Sequence, residues 1–195
     1  MPTLYIIAGP PGIGKSSNSS IFLPDGLPVL NHDLIRVAYK QQQLPDYGVK
    51  SNQKAWAFIN EKSKSGADFG IELNLGFDQH YSLLTQIPYY YTSYTIHILL
   101  FFTDDLQLCL DRTAKRFDNG GHYVPEAVVK EMYAQTLSLL RKNISFFSHI
   151  QFFDVAHERL LPELVYSGYY PTANHEFTHA ILPDWVGRHF SEILS

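Results

Sequence analysis

Cysteine is nearly missing, with one residue, Cys109, in 195. A lone cysteine excludes an intrachain disulfide and a CxxC zinc site, and it reads as a small buried apolar residue. Clustered positive charge is missing too. The chain has 15 Lys+Arg against 19 Asp+Glu, a net charge of −4 and no basic run. Without a basic stripe to neutralise a phosphate backbone, nucleic acid is not expected as a partner. No apolar run reaches the roughly 18–20 residues that cross a bilayer. Met1-Pro2-Thr3 also offers no positive leader ahead of Leu4 to Ala8. The expectation is a cytoplasmic protein with no membrane association. Charge blocks, internal repeats and low-complexity linkers are likewise missing.

Aromatic residues are plentiful. The 13 Tyr and 13 Phe contribute to a 14% aromatic content, which needs a folded interior to pack into. At this length one domain is expected. It divides into a core over residues 1–155 and a C-terminal extension over 156–195 packed on it.

Strand and helix patterns alternate. Thr3 to Ala8 is an apolar, β-branched run ended by Gly-Pro-Pro-Gly, the pattern of a strand buried on both faces. Gly14 to Ser20 opens a helix, Pro28 to Asn31 is a short strand, and Leu34 to Gln43 and Lys50 to Lys64 read as helices. Phe69 to Leu73 is a third strand, Asp78 to Gln86 a helix, and Tyr94 to Phe102 the clearest strand of all. Helices follow from Asp104-Asp105 to Phe117 and from Pro125 to Phe146. Ile150 to Asp154 reads as the last strand. Such alternation predicts a three-layer α/β protein with a mostly parallel central sheet flanked by helices, and the motif that follows its first strand makes it the P-loop type.

Gly9-Pro10-Pro11-Gly12-Ile13-Gly14-Lys15-Ser16 matches G-x-x-x-x-G-K-[ST] between a strand and a helix. Glycines let backbone N–H groups wrap an anion at a helix N-terminus. The motif assigns Gly9, Gly12, Ile13, Gly14, Lys15, Ser16 and Ser17 to nucleotide binding. Lys15 would reach the β- and γ-phosphates and Ser16 would ligate Mg²⁺. The donor is ATP or GTP, although no N-K-x-D guanine-reading element is present. Asp68-Phe69-Gly70 spells DFG but enters a strand, and is a coincidence.

Asp33 follows the second strand, where the crevice of such sheets lies. It is either a base and Mg²⁺ ligand or the N-cap of the next helix. Arg112 and Arg116 are either groups that stabilise phosphoryl charge or a solvated helix face. His122, after Gly120-Gly121, sits on a lid loop or on a helix-terminating turn.

Several landmarks occur together: the phosphate loop, Asn31-His32-Asp33, Ile71-Glu72-Leu73-Asn74, Leu110-Asp111-Arg112 with Arg116, and Gly120-Gly121-His122-Tyr123-Val124-Pro125. With them, the chain from about Leu4 to Asp154 resembles the zeta-toxin family of P-loop kinases, in its chromosomal, zeta-like branch. Known members phosphorylate UDP-N-acetylglucosamine-type nucleotide sugars. The resemblance implies Asp33 as catalytic base, Glu72, Asn74 and His122 at the substrate, and Arg112 and Arg116 near the transferring phosphate or the base. It also raises an antitoxin as a partner. One departure stands out. Where the family tends to show Thr and then Arg after the strand-end Glu, this chain has Asn74 and Gly76, which points to a different substrate.

His175-Glu176-Phe177-Thr178-His179 spells H-E-x-x-H. Pro171 and Pro183 leave room for only a short helix, so this reads as a chance match, and zinc hydrolysis is a distant third reading. The leading one is a kinase passing a γ-phosphoryl group to a hydroxyl of a small molecule. The alternative is a nucleotide-dependent ATPase or switch without such an acceptor. The run Tyr89-Tyr90-Tyr91 with Tyr94 is either a stacking surface or a loop leading into a strand.

Overall fold

The computed structural model describes residues 1–90, 94–156, 159–171, 175–177 and 182–193. Among these residues seven strands form one sheet: β1 (Thr3–Ala8), β2 (Val29–Leu30), β3 (Phe69–Leu73), β4 (Thr95–Phe102), β5 (His149–Asp154), β6 (Glu163–Tyr169) and β7 (His175–Phe177). Among the described residues seven α-helices accompany them: α1 (Lys15–Asn18), α2 (His32–Gln41), α3 (Tyr47–Ser65), α4 (Asp78–Tyr90), α5 (Leu106–Asp118), α6 (Glu126–Lys142) and α7 (Asp184–Phe190). None of the described helices is long and apolar enough to cross a membrane.

The strand order is β2-β3-β1-β4-β5-β6-β7. The first five run parallel, as the alternation of strands and helices predicts. The chain passes from β1 to β2 at the edge, returns through β3 beside β1, and then crosses to β4 on the other side of β1. That reversal opens a crevice at the carboxyl ends of β1 and β4, where ligands of open α/β sheets bind. Register carries the chemistry to it. Ile7 pairs with Glu72 and Ala8 with Leu73, so the end of β3 stands beside the loop that follows β1.

Both sheet faces are dry. One carries Leu4, Ile6, Ile71, Ile98, Leu100 and Phe152. The other carries Ile7, Leu99, Phe101 and Phe153, and Ile13 of the loop packs into it. Strands buried on both faces read as continuous apolar runs, which is why β1, β3 and β4 were legible.

The expectation that β5 is the last strand is corrected. β6 pairs antiparallel with β5 and β7 with β6, and α7 inserts Trp185, Val186 and Phe190 into the core. Trp185 packs on Phe102 and Phe152, and its indole N–H donates to Asp154 Oδ1 at 2.9 Å. Cys109 is a buried thiol, as read from the sequence, and burial pushes its pKa up to about 12.

Candidate functional site

Three glycines shape the loop between β1 and α1 by letting backbone approach backbone. Gly9, Gly12 and Gly14 all have positive φ. A Cβ on Gly9 would stand 2.2 Å from the Phe101 carbonyl oxygen, and one on Gly12 equally near that of Cys109. The loop is therefore pressed between the end of β4 and the first turns of α5. No side chain fits at either position.

Lys15 is 5% exposed. Its ammonium donates to the carbonyls of Gly9 (2.7 Å) and Pro10 (3.1 Å) and to Asn74 Oδ1 (2.8 Å). Burial lowers its pKa to about 8, opposed by the charges of Glu72 and then Asp33, which act to raise it. Its three donors are thus held by loop carbonyls and by the end of β3.

The Ser16 hydroxyl lies 2.9 Å from each oxygen of the Glu72 carboxylate and donates into it. Asn31 closes this group. Its Nδ2 donates to Glu72 Oε2 at 2.8 Å and to Ser16 Oγ at 3.2 Å, while its Oδ1 accepts from the backbone N–H of Leu34 at 3.0 Å. Asn31 is therefore the N-cap of α2. The capping alternative for Asp33 is corrected: Asp33 is the second residue of the helix, and its exposed carboxylate lines the crevice.

Arg112 and Arg116 project from α5 on the opposite wall. Arg112 Nη1 donates to the Ile13 carbonyl at 3.3 Å, and Arg116 Nη2 to that of His122 at 3.4 Å. Gly120 has φ of +81°, its N–H donates to the Phe117 carbonyl, and that of Gly121 donates to the Arg116 carbonyl. This double bond pattern with a left-handed glycine is the Schellman ending of a helix. Gly120-Gly121 is a helix-terminating turn, and it delivers His122 to the crevice.

These groups share one cleft of about 710 Å³. Gly12, Gly14, Lys15, Ser16 and Ser17 line it on one side, Asp33, Glu72 and Asn74 on the second, and Arg112, Arg116 and His122 on the third. Gly9 and Ile13 lie behind the loop instead, Ile13 fully buried in the core and Gly9 accepting from Lys15. The convergence was legible as a set of motifs. Asn31 stands within one of them, yet nothing in the sequence links it to Glu72 and Ser16. The only local signal was a capping residue ahead of a helix.

At Gly76, a Cβ would come within 2.6 Å of Met132 Cα and Cβ on α6. Helix packing leaves no room for a side chain at this position, and Met132 itself faces the cleft.

The H-E-x-x-H segment begins as strand β7, so its first three residues lack the helical spacing that sets two histidines on one face. Thr178 and His179 lie outside the described residues, as do Tyr91 and the side chains of Tyr89 and Tyr90. Tyr94 has a packing role, its hydroxyl donating to the carbonyls of Lys62 and Ala67. Among the described residues no group of three or more His, Cys, Asp or Glu is arranged to hold a metal ion.

No protein-family model and no curated protein matches the sequence. Solved structures do. A chain of the AvrRxo1-ORF1:-ORF2 complex superposes with a TM-score of 0.66 at 15% identity, over 92% of this chain and 62% of that one. A chain of the same complex with ATP gives 0.64 at 16% identity, over 86% and 58%. The chain has the three-layer P-loop fold. It shares this fold with a protein of the PezAT chromosomal toxin–antitoxin system of Streptococcus pneumoniae, at a TM-score of 0.60 and 15% identity over 86% of this chain and 72% of that one. The chain thus spans about three fifths of the length of the AvrRxo1 complex chains.

Proposed function

We propose that the protein is a P-loop kinase that transfers the γ-phosphoryl group of ATP or GTP to a hydroxyl of a small molecule. The observation that carries this reading is one cleft in which a phosphate loop, a free carboxylate and two guanidinium groups face each other. The fold shared with an ATP-bound complex supports it.

Loop N–H groups and the Lys15 ammonium bind the phosphates, Lys15 exchanging its carbonyl partners for phosphate oxygens. Ser16 Oγ and the Glu72 carboxylate, with the Asn31 amide behind them, form an all-oxygen edge of the kind a hard divalent cation takes. These residues suit Mg²⁺ at least as well as Asp33 does, and the ion when bound neutralises phosphate charge. Asp33 accepts the acceptor's hydroxyl proton as the new P–O bond forms and the bond to the β-phosphate oxygen breaks. The capped start of α2 keeps its carboxylate off the backbone and facing the cleft. Arg112 and Arg116 hold the charge spread over the transferring group. The acceptor class implied by the zeta-toxin resemblance is a nucleotide sugar.

Phosphate transfer from Mg²⁺-ATP and Mg²⁺-GTP to a panel of sugars and nucleotide sugars tests the reading. Asp33→Asn should lower transfer by about 10²–10⁴-fold and leave nucleotide binding intact. Slow hydrolysis indifferent to Asp33→Asn, with no acceptor labelled, would instead support an ATPase or switch.

A further inference from the structure

A second cavity lies across Glu72 from the phosphate cleft, between α2, α3, α4 and the end of β3, and measures about 240 Å³. Glu72 lines both spaces. Its floor is apolar, with Ile59 and Ile71 buried. Over the floor stands the indole of Trp56, 39% exposed. Asn52 and Gln79 bring amides to the rim.

Two imidazoles complete the lining. His80 Nδ1 accepts from the Phe77 N–H at 3.3 Å, so its proton sits on Nε2, a donor. Burial first, and then the nearby charge of Lys15, lowers its pKa, so this imidazole is neutral at pH 7. Nε2 of His32 is buried and has no hydrogen-bond partner among the described residues. His32 also directly precedes Asp33 in the chain.

Charge decides the class of ligand. Neither lysine nor arginine lines this cavity, and its one formal charge is the Glu72 carboxylate. The position that carries arginine in the zeta-toxin pattern is Gly76, closed off by Met132. A phosphate group would meet a carboxylate and no cation. The amides of Asn52 and Gln79 and the Nε2 donor of His80 suit vicinal hydroxyls, and an indole face packs on the C–H face of a sugar ring. The volume is under the roughly 300 Å³ at which pockets for larger ligands begin. That is the scale of a single ring.

We propose that this cavity seats the acceptor of the kinase, and that the acceptor is an uncharged, hydroxyl-rich ring of monosaccharide size. The acceptor role rests on the kinase reading, but binding of such a ring can be measured without it. The chain has two tryptophans. Trp185 is fully buried in the core, so a ligand-dependent change in emission reports on Trp56.

The full-length protein is titrated with glucose, N-acetylglucosamine and ribose, and in parallel with glucose 6-phosphate and UDP-N-acetylglucosamine. At least one neutral sugar should change the emission saturably, and its phosphate-bearing counterpart should bind about tenfold more weakly or worse. By calorimetry, Trp56→Ala and Gln79→Ala, both at exposed positions, should each weaken that sugar about tenfold. Both variants should leave ATP affinity unchanged. Tighter binding of UDP-N-acetylglucosamine than of N-acetylglucosamine would overturn the proposal, as would the lack of a saturable response to any neutral sugar. Phosphate transfer confined to phosphate-bearing acceptors sinks the cavity assignment and keeps the kinase. A neutral sugar that binds at Trp56 but is never phosphorylated keeps the cavity and sinks the kinase reading.

Discussion

Asn31 holds three parts of the site at once. Its carbonyl caps the helix that carries Asp33, and its amide reaches both Ser16 of the phosphate loop and Glu72 of β3. The two halves of the side chain do different work, so substitutions can separate them. Asn31→Ser keeps a capping oxygen and loses the amide donors. It should leave Tm near that of the wild type while lowering apparent Mg²⁺ affinity about tenfold, as loss of a group orienting a metal ligand does. Asn31→Ala loses the cap as well and should cost about 1 kcal/mol of stability besides. Thermal melts read against Mg²⁺ titrations of nucleotide turnover separate the effects. Equal Mg²⁺ dependence in wild type and Asn31→Ser would reduce Asn31 to a helix cap. Lys15 and Ser16 were legible because a phosphate loop needs them at fixed spacing. The part played by Asn31 was not, because its partners lie 15 and 41 residues away and meet it only through the register of β3.

Among the elements, those with a local physical cause were the readable ones. Runs buried on both faces marked β1 and β3 to the residue, and Asp105 caps α5 through Leu108 N–H as its place before a helical pattern suggests. β6 was missed because Glu163–Tyr169 ends in Tyr-Ser-Gly-Tyr, which reads as a turn. It becomes a strand through pairing with β5, across an irregularity between Phe152 and Phe153. Gly76 shows the same limit. The sequence marks it as a departure from a family pattern, while its cause is the approach of α6. That cause predicts opposite outcomes at two glycines. Gly48 lies in α3 with open space around it, so Gly48→Ala should stabilise the chain by about 0.5–1 kcal/mol through helix propensity. Gly76→Ala forces a methyl against Met132 and should destabilise it by about 1–3 kcal/mol. Chemical denaturation of the two variants checks the pair. A neutral Gly76→Ala would mean that α6 can retreat, and an arginine at that position would then be accommodated.

At the scale of the whole molecule, the carboxyl ends of the strands bear the site, and the other end of the sheet bears a row of rings that ties the antiparallel strand β6 to the centre. Tyr5 of β1 meets His97 of β4 edge-on at 5.5 Å, His97 meets His149 of β5 at 4.9 Å, and His149 stacks on Tyr169 of β6 at 4.5 Å. His149 Nε2 also bonds Ser167 Oγ at 3.0 Å. The α/β class and parallel core were legible from alternation, but this row was not. It depends on strand order, and residues from four strands meet only once β4 stands between β1 and β5. Burial, and then the neighbouring His149, lowers the pKa of His97 to about 4, against a smaller opposing effect of Asp68. Burial lowers that of His149 as well. The sign of the pH effect follows. Below pH 6.5 the unfolded chain takes up a proton at His97, while the folded chain resists until about pH 4. Between those values the unfolded state binds more protons, so stability falls as pH falls. Tm should decline across that window in the wild type and decline less in His97→Gln, which removes the titrating group while keeping a polar side chain. If the two declines are parallel, carboxylates elsewhere carry the acid sensitivity, and the ring row tolerates a charged imidazole.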